Sequence, residues 1–159
     1  MNSDRAIELL KAVHHAAMAT VNADGSPHNT PFHFQIDEAR RYIYWASNPE
    51  SLHSQNLART GQAFIVIYMP GTGGGLYVRA QNAHILEGAE LEEGLRLRNA
   101  QRAETGRQPI GIEHYIGATE QRMYRAELRQ FWINEANKNE DGNITNDWRV
   151  EISRKDLLS

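Results

Sequence analysis

Thr30, Ser47, Ser51, His53 and Gln55 are the residues of this chain best spaced to do chemistry together. The threonine falls inside one expected strand, Ser47 closes the next, and the other three open the helix that follows. The first amides of a helix have no partner within it, so hydroxyls and a nearby imidazole would complete a site for a phosphate monoester. A ring attached to that phosphate would lie along the strands. The same residues also read as an ordinary cap and an ordinary strand threonine, and on residue types alone that plainer reading weighs more.

Other chemistry-bearing patterns dissolve on inspection. Gly71 to Gly75 (GTGGG) imitates a phosphate loop, but strand residues follow it and no Lys-Ser or Lys-Thr pair closes it, so it reads as a hairpin connection. Asn137 to Trp148 (NKNEDGNITNDW) imitates a calcium loop. Asn137 replaces its first acidic ligand and Trp148 stands where a bidentate glutamate belongs, which leaves a solvated turn. Of the seven histidines only His14 and His15 are adjacent, and neither a metal-binding His spacing nor a Gly-x-Ser-x-Gly elbow occurs.

The elements that must hold the first group follow from periodicity. Ser3 can cap a short helix in which Ala6, Ile7, Leu10 and Val13 repeat at helical spacing. Ala16 to Asn22, a turn at Asn22 to Gly25 and the alternation from Pro27 to Asp37 read as a β-hairpin. Arg41 to Ser47 is a third strand, with Tyr42 and Tyr44 on one face and Ile43 and Trp45 on the other. Ser51 then caps a helix that buries Leu52 and Leu57. Gln62 to Met69 suits a central strand, Leu76 to Leu86 continues the sheet, and Glu87 to Thr105 is the only long helix, on the surface and weakened by Gly94. Met123 to Asn134 alternates again, Glu135 to Asp147 is a polar loop, and Trp148 to Ser153 is a last strand. Six or so strands with one long helix make a mainly β (α+β) protein built as a closed barrel.

Composition narrows the function classes. A chain of 159 residues fits one domain, 1–159, and 40% hydrophobic content with three Trp, six Tyr and four Phe can fill its core. The net charge is -3 with Lys and Arg dispersed, so neither a nucleic acid nor a membrane surface is expected as a partner. The absence of cysteine excludes thiolate catalysis and Cys-based metal centres. No leader or membrane-spanning segment is visible, so a cytoplasmic location is the expectation.

Four blocks taken in order resemble a known family: Met18 to Phe32 (MATVNADGSPHNTPF), Ile43 to Leu57 (IYWASNPESLHSQNL), Ala63 to Tyr68 (AFIVIY) and Val78 to Leu86 (VRAQNAHIL). The series resembles the pyridoxamine 5'-phosphate oxidase-like FMN-binding split barrels over most of the chain. The resemblance implies a six-stranded antiparallel split β-barrel with a short N-terminal helix and one longer surface helix. It also implies bound FMN and a homodimer with the flavin at the subunit interface.

Carried onto this sequence, the family's flavin contacts fall on Thr30, Gln35, Ala46, Ser47, Leu52 and His53, with Ser51 at the helix start, and on Trp132 and Arg149 near the C-terminus. The oxidases have arginine where Thr30 stands, lysine where Gln35 stands, and an arginine-lysine pair at Leu52 and His53. Three cationic positions are therefore neutral or apolar here, and His53 is left as the phosphate-side candidate. Thr145 and Asn146 replace the Arg-x-His pair that holds the vitamin substrate, which argues against pyridoxamine phosphate oxidation itself. The expectation is an FMN-dependent oxidoreductase of unknown substrate, with no catalytic acid or base assigned. The alternative is a non-catalytic binder of flavin, deazaflavin or haem on the same barrel.

Overall fold

One residue, Phe34, separates two strands that lie at opposite ends of the same sheet. In the computed structural model, which describes residues 2–71 and 74–158, the chain runs α1 (Asn2–Ala12), β1 (His15–Val21), β2 (Pro27–His33), β3 (Gln35–Ile36), β4 (Tyr42–Ser47) and α2 (Leu52–Thr60). It continues through β5 (Ala63–Ile67), β6 (Leu76–Ile85), α3 (Gly88–Glu104), a single 3-10 turn (Ile112–His114), β7 (Arg122–Lys138), β8 (Ile144–Ile152) and α4 (Arg154–Leu157). The strand order is β2-β1-β5-β6-β7-β4-β3, every pairing is antiparallel, and β8 pairs with β7 off that path. Because β2 and β3 are consecutive in the chain, the bend at Phe34 rolls the sheet on itself. The Phe34 amide holds the bend by donating to the His14 carbonyl at 3.0 Å, and the ring is 1% exposed. This is the expected antiparallel split-barrel class, with eight strands where six were expected.

The split lies along β7. Residues 122–127 of that strand pair with β4, whereas residues 131–138 pair with β8, so two different strands share one side of it. The stretch expected as a loop from Glu135 to Asp147 is instead the far end of this β7–β8 hairpin, closed by a turn in which Asn139 Oδ1 accepts from the Asn143 amide at 2.8 Å. Polar residues misled there because neither face of the arm is buried, the β7 end being half-buried to exposed and the β8 end exposed, so no apolar alternation marks them. The GTGGG stretch lies partly outside the described residues. The strands that flank it, β5 and β6, pair antiparallel as its hairpin reading requires.

Alternation fills the barrel. Met18 of β1, Ile65 and Ile67 of β5, Leu76 and Val78 of β6, and Leu128, Phe131 and Ile133 of β7 are fully buried together with Trp45. Between Leu128 and Phe131 the register with β6 shifts by one, a bulge that lets both residues point inward three positions apart. Leu9 and Leu10 of α1 and Leu157 of α4 pack on the same core. The helix begins at Asn2, so Ser3 lies within it rather than capping it.

A second core forms outside the barrel, where Leu91 and Leu97 of α3 cover Tyr44 and Met123. Tyr44 and Trp45 thus face opposite cores, as the two-faced reading of β4 requires. Gly94 is not a weak point. A Cβ there would stand 3.0 Å from Leu86, 3.1 Å from Met123 and 3.2 Å from Tyr44, so the missing side chain is what lets the helix approach the sheet. Gly94→Leu is expected to lower unfolding stability by about 1–3 kcal/mol through overpacking, which urea denaturation would measure. A gain in stability, as helix propensity alone would give, would contradict this packing role.

Candidate functional site

A tight connection sets the first turn of α2 against the last residue of β4. Asn48 organises it by accepting from the Glu50 amide at its side chain (2.8 Å) and from the Ser51 amide (3.1 Å) and hydroxyl (2.7 Å) at its carbonyl. Four side chains then converge. The Ser47 hydroxyl lies 2.7 Å from His53 Nε2, and that of Ser51 lies 3.2 Å from the same nitrogen. The Ser51 and Ser54 hydroxyls lie 2.9 Å apart, and Ser54 donates to Ser47 at 3.2 Å.

This cradle is anchored from below. Ser47 and Ser54 are buried, and the buried Tyr124 lies beside Ser54 while its ring stacks on Trp45 at 5.5 Å. Asn56 donates to Thr20 and Asn22 of the first hairpin, at 3.1 and 2.8 Å, fixing how α2 sits. Ser51 occupies the N-cap position, but its hydroxyl makes no bond to a helix amide. The first amides of α2 therefore have no acceptor in the Ser51 side chain, and the hydroxyls and imidazole gather at the same end of the helix. Burial, and next the charge of His28, hold the His53 pKa below its ordinary value, so the imidazole is neutral near pH 7. The cradle offers hydrogen bonds and helix-terminus field rather than full positive charge.

The nine residues marked by family position are not all brought together. Ser47, Ser51 and His53 share the cradle. Thr30 turns its hydroxyl to the Pro31 carbonyl (3.4 Å), and Ala46 faces the outer core beside α3. Leu52, expected to be buried by α2, is 47% exposed, because the helix buries Ser54, Asn56 and Leu57 instead. Gln35 is buried and donates to Gln101 of α3 at 2.8 Å and to His33 at 3.1 Å.

Trp132 and Arg149 sit on the outer sheet face in an aromatic patch. The Trp132 ring is 5.9 Å from Phe64, Arg79 lies over Trp132 at 5.8 Å, and Arg149 covers Tyr77 at 3.8 Å and Phe64 at 5.8 Å. Ser54 and His28 went unnoticed in the sequence. Ser54 could have been found from its i, i+3 spacing to Ser51, which places both hydroxyls on one face of the helix. His28 gives no local signal, since only the fold brings it near His53. Among the described residues no group of His, Asp or Glu is arranged to hold a metal, and no helix is long and apolar enough to cross a membrane.

An antiparallel barrel split along one strand, with a polar cradle at the end of a strand and the start of a helix, defines a split-barrel protein. The family profile for pyridoxamine 5'-phosphate oxidase matches residues 3–132, and the chain belongs to that family. No curated protein matches the sequence. Solved structures share the fold at low identity. A protein of the pyridoxinephosphate oxidase family from Clostridium acetobutylicum related to general stress protein 26 matches at 11% identity and TM-score 0.65, over 94% of each chain. A haem storage protein from Vibrio cholerae matches at 18% and 0.64, over 84% of this chain and 95% of that one. A haem-binding protein from Mycobacterium smegmatis matches at 14% and 0.65, over 98% of this chain and 59% of that one.

His33, at the end of β2, has a testable titration. Burial, followed by the charges of His15, Arg98, His14 and Arg107, pushes its pKa from 6.5 down to about 4. The unfolded chain takes up a proton there below about pH 6.5 that the folded chain refuses until about pH 4. Stability is expected to fall as pH drops through that window, and His33→Gln is expected to flatten the fall. Urea midpoints at several pH values would check this, and an unchanged slope in the variant would refute it.

Proposed function

We propose that this chain is an FMN-binding flavoprotein whose phosphate anchor is the Ser47, Ser51, Ser54 and His53 cradle at the N-terminus of α2. The observation that carries the reading is the convergence of these side chains at the N-terminus of a helix that the Ser51 hydroxyl does not cap, at the position where the family holds its cofactor phosphate. The donor set fits the group. Hydroxyls and backbone amides are phosphate ligands, and His53 adds a partner that gains charge if the bound dianion draws a proton to it. When bound, the flavin supplies hydride and electron transfer, and the protein supplies orientation. The substrate class is open, and the reading assigns no catalytic acid or base.

The outer patch of Phe64, Tyr77 and Trp132 with Arg79 and Arg149 supports a homodimer in which a second copy covers that face. Such an assembly would bring Trp132 and Arg149 to the flavin as family position implies, and would work in the cytoplasm as a one-domain protein. A second reading is a non-catalytic binder of flavin, deazaflavin or haem. It is favoured by the neutral residues at Thr30, Gln35 and Leu52, and by the two structural neighbours that are haem proteins.

The visible absorption spectrum separates these readings. Protein reconstituted with excess FMN and desalted is expected to retain flavin bands, whereas a Soret band after haem addition with no retained flavin would favour the second reading. His53→Ala is expected to weaken FMN binding about tenfold while preserving the fold. Unchanged affinity would place the phosphate elsewhere. Light scattering is expected to give twice the chain mass, and Trp132→Glu is expected to shift the protein toward monomer by putting a charge into the covered face.

A further inference from the structure

Away from the cradle, the C-terminal half of α3 stands over the sheet where β1 begins and β2 ends, and between them lies a cavity of about 750 Å³. This lies within the size range of small-molecule sites, roughly 300–1,000 Å³. Its basic lining comprises His14, His15, His33, Arg98, Arg102 and Arg107, without one carboxylate. The whole chain carries 20 acidic against 17 basic residues, so this one-sided lining does not follow from composition.

Nothing within the described structure neutralises these groups. None of the three arginines forms an ion pair among the described residues, and Arg98 Nε is buried with no hydrogen-bond partner. Arg98 instead lies 5.9 Å from the Tyr115 ring centre, and Arg102 Nε donates to the Gln108 carbonyl. The histidines are no better supplied. The His15 and His33 rings pack edge to face at 4.7 Å, and Gln101 donates to His14 Nδ1 at 2.8 Å.

The wall is also fixed in place. Gln101 donates to the Phe34 carbonyl at 3.1 Å and accepts from Gln35 at 2.8 Å, which ties α3 to the bend in the barrel. The rest of the lining is largely apolar or aromatic and includes Ala17, Pro31 and Tyr68. Three arginines without an ion-pair partner, gathered beside apolar surface, are unfavourable alone and are relieved by an anion with a nonpolar body.

We propose that this cavity is a binding site for a small organic dianion, its phosphate or paired carboxylates held by Arg98, Arg102 and Arg107 and its aromatic or apolar body against Ala17, Pro31 and Tyr68. The site does not rest on the flavin reading, because it uses none of the cradle residues. The suppressed protonation of His33, caused first by its burial, also carries a contribution from Arg98 and Arg107 of the same lining.

Calorimetric titration of the whole protein tests it with four probes: phenyl phosphate, phthalate, neutral phthalamide and inorganic phosphate. At least one organic dianion is expected to bind with Kd below about 1 mM, at least tenfold tighter than phthalamide and tighter than inorganic phosphate. The tighter of the two identifies the headgroup as phosphate or dicarboxylate. Arg98→Gln/Arg102→Gln is expected to weaken that binding tenfold or more, while Arg129→Gln, an exposed arginine outside the cavity, leaves it unchanged. Arg107→Gln, on the exposed loop, and Ala17→Leu, which fills the apolar side without touching a charge, give independent tests should the double variant fail to fold. Absence of dianion binding, equal binding of phthalamide, or binding indifferent to Arg107→Gln and Ala17→Leu would overturn the proposal.

Discussion

The bend at Phe34 is the constraint on which the rest of the molecule depends. A sheet whose two ends are consecutive in sequence, with a single residue between them, has no choice but to roll, and burying that residue fixes how tightly. Phe34 and Phe32 lie 5.8 Å apart, and Phe32 meets Trp45 edge to face at 6.0 Å, so the two ends of the sheet are joined through side chains as well as through the backbone. Trp45 in turn stacks on Tyr124, which lies beside Ser54 of the cradle. The position of the candidate phosphate site is thus set by an aromatic relay that begins at the bend. β4 ends where it does because Trp45 is held in the core, and α2 starts where it does because Ser47 ends β4.

That dependence explains how a site without formal charge could hold an anion. Cationic side chains on flexible stems tolerate loose placement, because a charge acts over several ångströms. Hydroxyls and amides do not, since their bonds weaken steeply with distance and angle. A cradle that replaces cations with serines and a neutral imidazole must be positioned more tightly. Asn56 reaching Thr20 and Asn22, the Asn48 turn, and burial of Ser47 and Ser54 supply that tightness. The exposure of Leu52 fits the same picture, because a cationic side chain at that position would have pointed to solvent and not into the cradle.

How far the sequence could be read followed the range of the interactions involved. The first hairpin, the two faces of β4 and the apolar run of β5 are local patterns of alternation, and they were legible. What depended on partners distant in the chain was not. Ser51 looked like a cap because capping is the common fate of a serine before a helix, yet its hydroxyl is drawn to Asn48 and Ser54. Gly94 looked like a helix defect because its reason is Tyr44, fifty residues earlier. The β7–β8 arm looked like a loop because strands with neither face buried carry no alternation to read. The bulge after Leu128 broke the period of β7 at a single position. For the site, family position drew attention to Ser47, Ser51 and His53, whereas Ser54 and His28 needed the fold.

Charge shows the same limit in reverse. Lys and Arg are dispersed along the sequence, and dispersal in sequence says little about dispersal in space. Arg98 and Arg102 are four apart on one helix and so share a face. Arg107 follows after the helix ends, and its amide folds back to the Arg102 carbonyl at 2.8 Å. His14 and His15 come from the junction of α1 and β1, and His33 joins them because it is paired with His15 across the hairpin. Four local features, each ordinary alone, therefore assemble one basic pocket in a protein whose net charge is negative. The cost falls on His33, whose proton affinity is lowered first by burial and then by neighbours of like sign. A fold that keeps such a cluster intact, with Gln101 and Gln35 bracing it, is one in which the missing negative charge arrives from outside the chain.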